Sequence, residues 1–372
     1  MRMKKAPPLR AWAEIHRARL AFNLQEIRRR IGPDRKLIGV VKADAYGHGL
    51  TQTAQWLSEL GVDFFGVAGL PEAVECQRAT SKAPVLLLSG ALPDEAEEIV
   101  ARGIRPTLSI WEEAQAFIRV ARKLRRQVHV HLKVDTGMGR LGAWHEQACD
   151  FALRLAAVKE FELEGIYTHL ATADSNQGFA VTQLKRLTKV IDTLASRGLR
   201  FPIRHYSNSA ATLTMSLGGF NYVRPGLAVY GISPIPGPTL KPILDFKSRL
   251  TVIKTIEKGR PLSYDSVFRA TRRMRVGTVC AGYADGYKRH LTNRSEVIVH
   301  GRRCRQLGRV TMDEIIVDLS RVPQARWGDP VTFIGRDGRE EVTTVELAKL
   351  ANTIPWEILT GLGKRTVRVY KE

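Results

Sequence analysis

Short apolar runs alternate with amphipathic segments over the first two thirds of the chain. Eight apolar runs of strand length predict β-strands at residues 37–41, 64–68, 85–89, 104–108, 128–134, 163–168, 203–207 and 222–224. Apolar residues recur at helical spacing between these runs, and Gly61 and Gly198 stand where two of the helices would end. Eight strand–helix units over roughly 200 residues predict an α/β fold with a (β/α)8 barrel. A doubly wound open sheet is the alternative, because alternation alone does not establish closure.

The last third of the chain shows a different pattern. A Pro/Gly-rich stretch at 234–238 predicts a linker. After it, apolar runs at 250–256, 276–280, 297–299, 315–319, 331–334 and 367–370 predict strands, with one helical segment at 345–350. We therefore expect a barrel at 16–238 and a C-terminal mostly-β domain at 239–372. The β domain is also the candidate pairing partner of an N-terminal segment at 1–15.

Composition narrows the class of protein. Of the 372 residues, 44% are hydrophobic and 26% charged, which is ordinary for a globular chain. No apolar run approaches the ~20 residues that span a bilayer, and the basic segment at 1–8 lacks the apolar core of a signal peptide. We therefore expect a cytoplasmic protein without membrane association. Four scattered cysteines, without a CxxC pair or paired histidines, predict neither a disulfide framework nor a metal site.

The net charge of +21 raises the question of nucleic-acid binding. Basic runs at 28–30, 122–126 and 302–303 are spread along the chain, and none is interleaved with aromatic residues for base stacking. We interpret the charge as a solvated basic surface. Nucleic-acid binding is the alternative that charge alone motivates, and salt-dependent affinity for DNA would reveal it.

Polar side chains follow the predicted barrel strands. Lys42 follows the first strand, Lys133 and Arg140 lie at and beyond the fifth, His169 ends the sixth and Arg224 ends the eighth. Because the carboxyl ends of barrel strands face one side, we expect these side chains to converge on one site. A desolvated lysine at such a position can lose its proton and form a Schiff base with a carbonyl cofactor.

Two further segments predict a cradle for an anion. Ser209 opens a helical pattern after the seventh strand, and Gly226 and Leu227 follow the eighth. Amide N–H groups at a helix start and beside glycine bind phosphate, and the loops after strands seven and eight are its usual position in such barrels. The sequence therefore predicts a phosphate-binding edge.

Several segments, in order along nearly the whole chain, resemble the alanine racemase family. The segment VVKADAYGHG at 40–49 closely resembles that family's lysine motif for pyridoxal phosphate (PLP). The others are HLKVDTGMGRLG at 131–142, THLATAD at 168–174, HYSNSAA at 205–211, VRPG at 223–226, AGYADGY at 281–287 and GRVTMD at 308–313. The resemblance implies a homodimeric, PLP-dependent enzyme that interconverts L- and D-alanine by two-base proton transfer at Cα. It also implies a role in supplying D-alanine for peptidoglycan.

The resemblance further implies residue roles at the cofactor. Lys42 binds PLP covalently, His169 lies under the ring, and Arg224 faces the pyridine nitrogen. Arg140 reaches the phenolate oxygen, oriented by Lys133 when that lysine is carbamylated. Phosphate contacts are implied for Tyr46, Asn208, Ser209, Gly226 and Leu227.

Roles at the substrate are implied in the same way. Lys42 and Tyr283 form the catalytic acid–base pair, with Tyr283 contributed across the dimer interface. Arg140 and Met312 are implied in substrate binding, and Asp313 belongs to the same segment near the substrate carboxylate.

The chain departs from the family pattern at four positions. These are Asp44 (commonly Asn), Asp265 (usually Gly), Thr311 (usually Cys) and Trp356 (often a Tyr whose hydroxyl reaches the phosphate). A broad-specificity or serine racemase of the same fold is therefore an alternative. A related PLP decarboxylase would carry a cysteine-containing catalytic segment in its second domain, and a non-catalytic PLP-binding barrel would lack the β domain.

Overall fold

A computed structural model describes residues 9–80, 83–237 and 239–372. Residues 1–8 of the predicted N-terminal segment and Pro238 of the predicted linker lie outside the described residues. The chain divides into two compact units. The barrel unit contains Arg19–Ala45 and Gly49–Lys241, and the β unit contains the residues up to Ala18, Tyr46–His48 and Pro242–Glu372.

Strands and helices alternate through the barrel unit and give way to strands in the β unit. The first ten strands are β1 (Ala11–His16), β2 (Lys36–Val40), β3 (Phe64–Val67), β4 (Val85–Leu87), β5 (Thr107–Leu108), β6 (Val128–Asp135), β7 (Ala143–Trp144), β8 (Phe161–Tyr167), β9 (Ile203–His205) and β10 (Tyr222–Val223). The others are β11 (Leu244–Ile256), β12 (Pro261–Leu262), β13 (Phe268–Arg269), β14 (Met274–Val279), β15 (Glu296–Val299), β16 (Arg302–Leu307), β17 (Ile315–Asp318), β18 (Pro330–Asp337), β19 (Glu340–Val342) and β20 (Val367–Lys371). The helices are α1 (Arg17–Ile31), α2 (Lys42–Gly47), α3 (Leu50–Glu59), α4 (Leu70–Ala79), α5 (Ala96–Arg102), α6 (Trp111–Leu124), α7 (Ala148–Ala156), α8 (Gln177–Ser196), α9 (Ser209–Thr214), α10 (Thr344–Ala351) and α11 (Pro355–Thr360).

The barrel unit is a parallel sheet that nearly closes on itself. Its strands run in the order β4-β3-β2-β10-β9-β8-β6-β5, and β7 pairs with β6. The two ends of this order meet at Arg105, whose N–H donates to Val85 at 2.9 Å and whose carbonyl accepts from Leu87 at 2.9 Å. The predicted (β/α)8 barrel is thus confirmed, and this closure excludes the open-sheet alternative. Among the described residues, no helix is long and apolar enough to cross a membrane.

The β unit is built on one sheet of nine strands. Their order is β19-β18-β15-β16-β17-β14-β11-β1-β20, and β1 pairs antiparallel with β11 and parallel with β20. The predicted mostly-β C-terminal domain is confirmed. The sequence did not predict β16, because its buried positions include Cys304 and Gln306 among arginines. Gln306 is accommodated by donating to the carbonyls of Leu307 and Gly308.

The segment after β2 differs most from the structure that the sequence predicts. A simple strand-to-helix loop is expected there, but α2 is a left-handed turn, with φ of 52° to 55° at four consecutive residues from Ala43 to Tyr46. Left-handed backbone costs roughly 1–2 kcal/mol per L-residue. Local hydrogen bonds offset part of this cost: Ala45 N donates to Val41 O at 2.8 Å, and the Asp44 carboxylate accepts from Leu50 N at 2.8 Å. Glycine is required at the end of the turn, since a Cβ at Gly47 would overlap the Leu359 carbonyl within the β unit.

Candidate active site

Four cationic side chains lie where barrel strands end. Lys42 begins α2, Lys133 lies near the end of β6, Arg140 follows β6 and Arg224 follows β10. Burial, with the charges of Arg224 and Arg140, lowers the pKa of Lys133 to about 7. Burial and the charge of Arg140 also lower the pKa of Lys42. The four cations therefore destabilise one another, and an anionic group bound among them would relieve that repulsion.

The loop that carries Arg140 is shaped by the carboxylate of Asp135. This carboxylate accepts the backbone N–H groups of Gly137, Met138 and Arg140 at 2.8, 2.9 and 3.1 Å. Gly142 completes the loop at φ 112°, where a Cβ would press on the backbone of β6. The position of Arg140 is thus fixed through its own main chain.

The aromatic ring of Tyr167, at the end of β8, lies beneath two of the cations. Its centroid is 5.2 Å from Lys133 Nζ and 4.9 Å from Arg224 Cζ, within cation–π range. The same ring stacks on His205 at 4.5 Å and 9°. Its hydroxyl lies 2.8 Å from Thr107 Oγ1, and burial raises the pKa of Tyr167 to about 12. Tyr167 is therefore a neutral, fixed platform, and nothing in its local sequence marks it as one.

A buried chain of hydrogen bonds leads away from Arg224 through the barrel. Arg224 Nη1 contacts His205 Nδ1, His205 Nε2 lies 3.1 Å from His131 Nδ1, and His131 Nε2 lies 3.2 Å from a Glu164 oxygen. Guanidinium only donates and carboxylate only accepts, so both histidines carry their hydrogen on Nε2. Burial lowers the pKa of both histidines, which agrees with neutral rings. A Cβ at Gly165 would overlap the His131 ring, so this glycine makes room for the chain.

Arg224 is fixed on its other side by the backbone. Its Nη2 donates to Thr168 O at 2.8 Å and to Tyr206 O at 3.2 Å. Burial lowers the pKa of Arg224 to about 10, so the group stays protonated at neutral pH. His169 is held through its carbonyl by Gln183, and burial together with the Arg224 charge lowers the pKa of its ring well below the usual range. His169 is therefore neutral.

The predicted phosphate segments are joined to each other. The Asn208 side chain caps α9 by accepting from Ala211 N at 3.0 Å. Ser209 Oγ accepts from Ala228 N at 3.1 Å, which ties α9 to the turn after β10 and leaves the serine hydrogen available for donation. Gly226 and Leu227 are buried in that turn. The remaining member of this set, Tyr46, belongs to the β unit, where burial raises its pKa to about 12.

Glu72, in the first turn of α4, is a site residue that sequence reasoning missed. Its carboxylate accepts from Ala43 N at 2.7 Å and from Ala68 N at 2.8 Å, so it ties the left-handed turn to the end of β3. Its charge also raises the pKa of Lys42, against the effect of burial. An acidic residue in a first helical turn is common, so the sequence did not mark Glu72 as a site residue.

Replacing Glu72 by glutamine should destabilise the turn that presents Lys42. The amide keeps one acceptor oxygen but sets its NH2 against the second backbone N–H, so we expect the free energy of unfolding to fall by about 1.5–3 kcal/mol. Chemical denaturation measures this change. The matched control is Glu75→Gln, one turn along the same helix, whose exposed carboxylate accepts only from Thr51 among the bonds described. Equal effects of the two substitutions would contradict the role of Glu72.

The remaining candidates lie in the β unit. Tyr283 begins a three-residue 3-10 turn, Tyr283–Asp285, and its side chain is 42% exposed. Its N–H donates to Thr311 O at 2.9 Å, and Ala284 N donates to Met312 O at 3.1 Å. Met312 and Asp313 are exposed. The turn with Tyr283 and the segment with Met312 are thus adjacent within this unit.

Besides Asp44, two departures from the family pattern have a structural account. Asp265 adopts φ 58°, the conformation that a glycine at this position adopts readily, and its carboxylate accepts from Arg309 Nε at 2.9 Å. Thr311 Oγ1 donates to Glu314 O at 2.8 Å, so a hydroxyl here closes the turn that contains Met312 and Asp313.

The donor set of the barrel unit fits PLP. Lys42, with its lowered pKa, is the amine able to bond to an aldehyde carbon. Asn208, Ser209 and the buried turn at Gly226 offer polar groups suited to a phosphate, and the cations would offset its negative charge. The excess of positive over negative groups near Lys42 is the observation on which this fit depends.

Comparison with known proteins gives family matches in both units. The family model "Alanine racemase, N-terminal domain" matches residues 15–234, and "Alanine racemase, C-terminal domain" matches residues 243–370. This chain belongs to the alanine racemase family. Among curated relatives, an alanine racemase of Symbiobacterium thermophilum is 40% identical over 364 residues, covering 96% of each chain. One of Synechocystis sp. is 40% identical over 366 residues, covering 97% of this chain and 98% of that one.

Solved structures of this family share the fold over the whole length. An alanine racemase of Clostridium difficile 630 superposes with a TM-score of 0.93 at 32% identity, covering 99% of this chain and 97% of that one. An alanine racemase of Bacillus anthracis, solved with bound L-Ala-P, gives a TM-score of 0.91 at 33% identity, covering 99% and 96%. The resemblance stated from the motifs is therefore confirmed at the level of the family and its fold.

Proposed function

We propose that this protein is a PLP-dependent alanine racemase that interconverts L- and D-alanine. The observation that carries the proposal is the cluster of Lys42, Lys133, Arg140 and Arg224 at the barrel edge, in a chain of this family. When bound, PLP supplies an electron sink for the negative charge left at Cα after proton removal. Lys42 holds the cofactor covalently and exchanges the Cα proton on one face of the substrate. Tyr283 exchanges it on the opposite face.

Arg224 determines the outcome of the reaction. With PLP bound and its pyridine nitrogen facing Arg224, the fixed positive charge would oppose protonation of that nitrogen, because like charges repel. Neutral His169 and His205 add no further charge, and, after burial, Arg224 is the largest of the charged groups that lower the pKa of both rings. This arrangement favours return of the proton to Cα over its transfer elsewhere, and so favours racemisation over transamination.

Lys133 is proposed to be carbamylated. Only the neutral amine reacts with carbon dioxide, and a pKa of about 7 makes that form abundant at physiological pH. From the neutral amine, the reaction forms an N–C bond, releases one proton and gives an anion that would be attracted by the charges of Arg140 and Arg224. That attraction is what supports the proposal.

We also propose a cytoplasmic homodimer in which Tyr283 is contributed across the subunit interface, with the D-alanine product used for peptidoglycan. These assignments are supported by membership of the family and by the partial exposure of Tyr283 and Met312. Binding of nucleic acid and of membranes is not expected, because the basic runs are dispersed.

The deciding experiment incubates the purified holoprotein with L-alanine, L-serine and a panel of other L-amino acids and follows the loss of optical activity. We expect racemisation of alanine to dominate. Comparable rates with serine or with several amino acids would favour the alternative of a broad-specificity or serine racemase. Alanine and serine differ by one hydroxyl, which contributes little binding energy for discrimination. Bound PLP without any racemisation would reject the proposed function.

A further inference from the structure

Arg365 joins the two segments of the β unit that carry the substrate-side candidates. Its Nε and Nη2 donate to the two carboxylate oxygens of Asp285 at 2.7 and 2.9 Å, and its Nη1 lies 2.7 Å from Asp313 Oδ1. Each of the three guanidinium nitrogens therefore bonds to a carboxylate. We propose that Arg365 is a positioning residue that holds Tyr283 in a fixed position relative to Met312 and Asp313. This inference rests on the proposed function, in which Tyr283 exchanges the Cα proton.

The carboxylate of Asp285 is the centre of this arrangement. It is 3% exposed, and besides Arg365 it accepts the N–H of Gly282 at 2.8 Å. The backbone carbonyl of Asp285 accepts from Thr366 Oγ1 at 2.8 Å. The turn that presents Tyr283 is thus bonded on its side-chain and main-chain sides to the residues that lead into β20.

The turn needs this support because it is short. A single 3-10 turn closed by Asp285 N to Gly282 O at 3.1 Å and Gly286 N to Tyr283 O at 3.2 Å has little stability of its own. Contact with the neighbouring segment is also close, since a Cβ at Gly282 would overlap the carbonyls of Thr311 and Met312. Removal of Arg365 would leave a buried carboxylate without its cation, and the turn would rearrange to expose it.

The position of Tyr283 matters because the rate of proton transfer is sensitive to the distance between the reacting groups. A displacement of about 1 Å in a reacting group can lower the rate by about 10²-fold. In Arg365→Ala we therefore expect kcat to fall by about 10²-fold with a smaller change in KM. The loss should concentrate in the step that Tyr283 performs and leave the step of Lys42 nearly unchanged.

The test compares the holoproteins of wild type, Arg365→Ala and Arg365→Lys. The control is Arg336→Ala, which removes another guanidinium of the β unit, paired with Glu341 at 3.0 Å on the surface. Hydrogen exchange followed by mass spectrometry should show amides 282–286 exchanging about tenfold faster in Arg365→Ala, with the barrel unchanged. With Cα-deuterated alanine, the kinetic isotope effect should rise for the enantiomer whose deuteron Tyr283 removes. It should fall for the other enantiomer, because the later return of a proton from Tyr283 then limits the rate. Arg365→Lys keeps the positive charge but cannot form the bidentate hydrogen bond to Asp285. Its activity should therefore lie between those of Arg365→Ala and wild type.

Three results would overturn the inference. One is unchanged exchange at 282–286 in Arg365→Ala, and a second is normal kcat despite faster exchange. The third is an isotope effect that rises equally for both enantiomers. Where Arg365→Ala does not fold, the same three readouts apply to Arg365→Lys. A wild-type holoprotein that does not racemise alanine rejects the proposed function instead, while the exchange data still decide whether Arg365 holds the turn.

Discussion

Replacing Lys42 by alanine should abolish racemisation and the visible absorbance of the bound cofactor together. The amine is the group that bonds to the cofactor and also one of the two proton carriers, so a single change removes both functions. General acid–base catalysis alone contributes about 10²–10⁴-fold, and we expect kcat/KM to fall by at least about 10³-fold. The measurements are the absorbance spectrum of the purified protein and the loss of optical activity with L-alanine.

The stability of the Lys42→Ala protein separates this loss from misfolding. Burial and the charge of Arg140 lower the pKa of Lys42, so near neutral pH the unfolded chain binds this proton more tightly than the folded chain does. The charged lysine therefore opposes folding at pH 7, and its removal should not lower the unfolding temperature below that of the wild-type protein freed of its cofactor. Lys36→Ala, at the exposed start of the strand β2 that precedes Lys42, is the matched control and should retain both absorbance and activity. A Lys42→Ala protein that keeps the absorbance band would contradict the assignment.

The barrel could be predicted because its strands are buried on both faces. Such strands appear as unbroken apolar runs, as at 64–67, whatever lies between them. The short β5 shows the limit of this signal. The apolar pattern predicted a strand at 104–108, but the structure has a two-residue strand plus a bridge at Arg105, because this is where the sheet meets its other end.

The left-handed turn α2 could not be predicted from local pattern. Ala43 and Ala45 favour right-handed helix in isolation, and the turn is stable only through partners such as Glu72, 29 positions away from Ala43. Arg365 poses the same difficulty, since its partner Asp285 is 80 positions distant. Residues at strand ends are recognisable once the barrel is assigned, whereas residues that act through another residue's backbone or carboxylate are recognisable only in three dimensions. The chemical roles of the strand-end residues stay predictions for the experiments above.

Replacing Arg224 by glutamate should reverse the polarity of the buried hydrogen-bond chain. A carboxylate accepts where the guanidinium donates, so His205 would have to present Nδ1–H to it and turn its Nε2 into an acceptor. His131 would then donate from Nδ1, and its bare Nε2 would face the Glu164 carboxylate. We expect the free energy of unfolding to fall by about 3–5 kcal/mol, the usual cost of an uncompensated buried charge.

A second substitution tests this reversal directly. In Arg224→Glu combined with Glu164→Gln, the glutamine amide can donate to His131 Nε2, so the reversed chain again ends on a matching group. A double-mutant cycle measured by chemical denaturation should give a favourable coupling of about 1–2 kcal/mol between two residues joined only through histidines. Strictly additive effects of the two substitutions on the free energy of unfolding would show that the hydrogen-bond chain does not couple residues 224 and 164.

The same substitution should redirect the reaction. A carboxylate beside the pyridine nitrogen would favour protonation of that nitrogen, whereas the guanidinium opposes it. The bound cofactor would then withdraw electrons more strongly, and side reactions such as transamination would compete better with return of the proton to Cα. We expect Arg224→Glu to form more pyruvate per racemisation event than wild type, measured by coupling pyruvate to a dehydrogenase while following optical activity. Arg224→Lys keeps a positive charge and should keep the wild-type ratio even where its rate falls. An unchanged ratio in Arg224→Glu would mean that charge at this position does not determine the choice between racemisation and transamination.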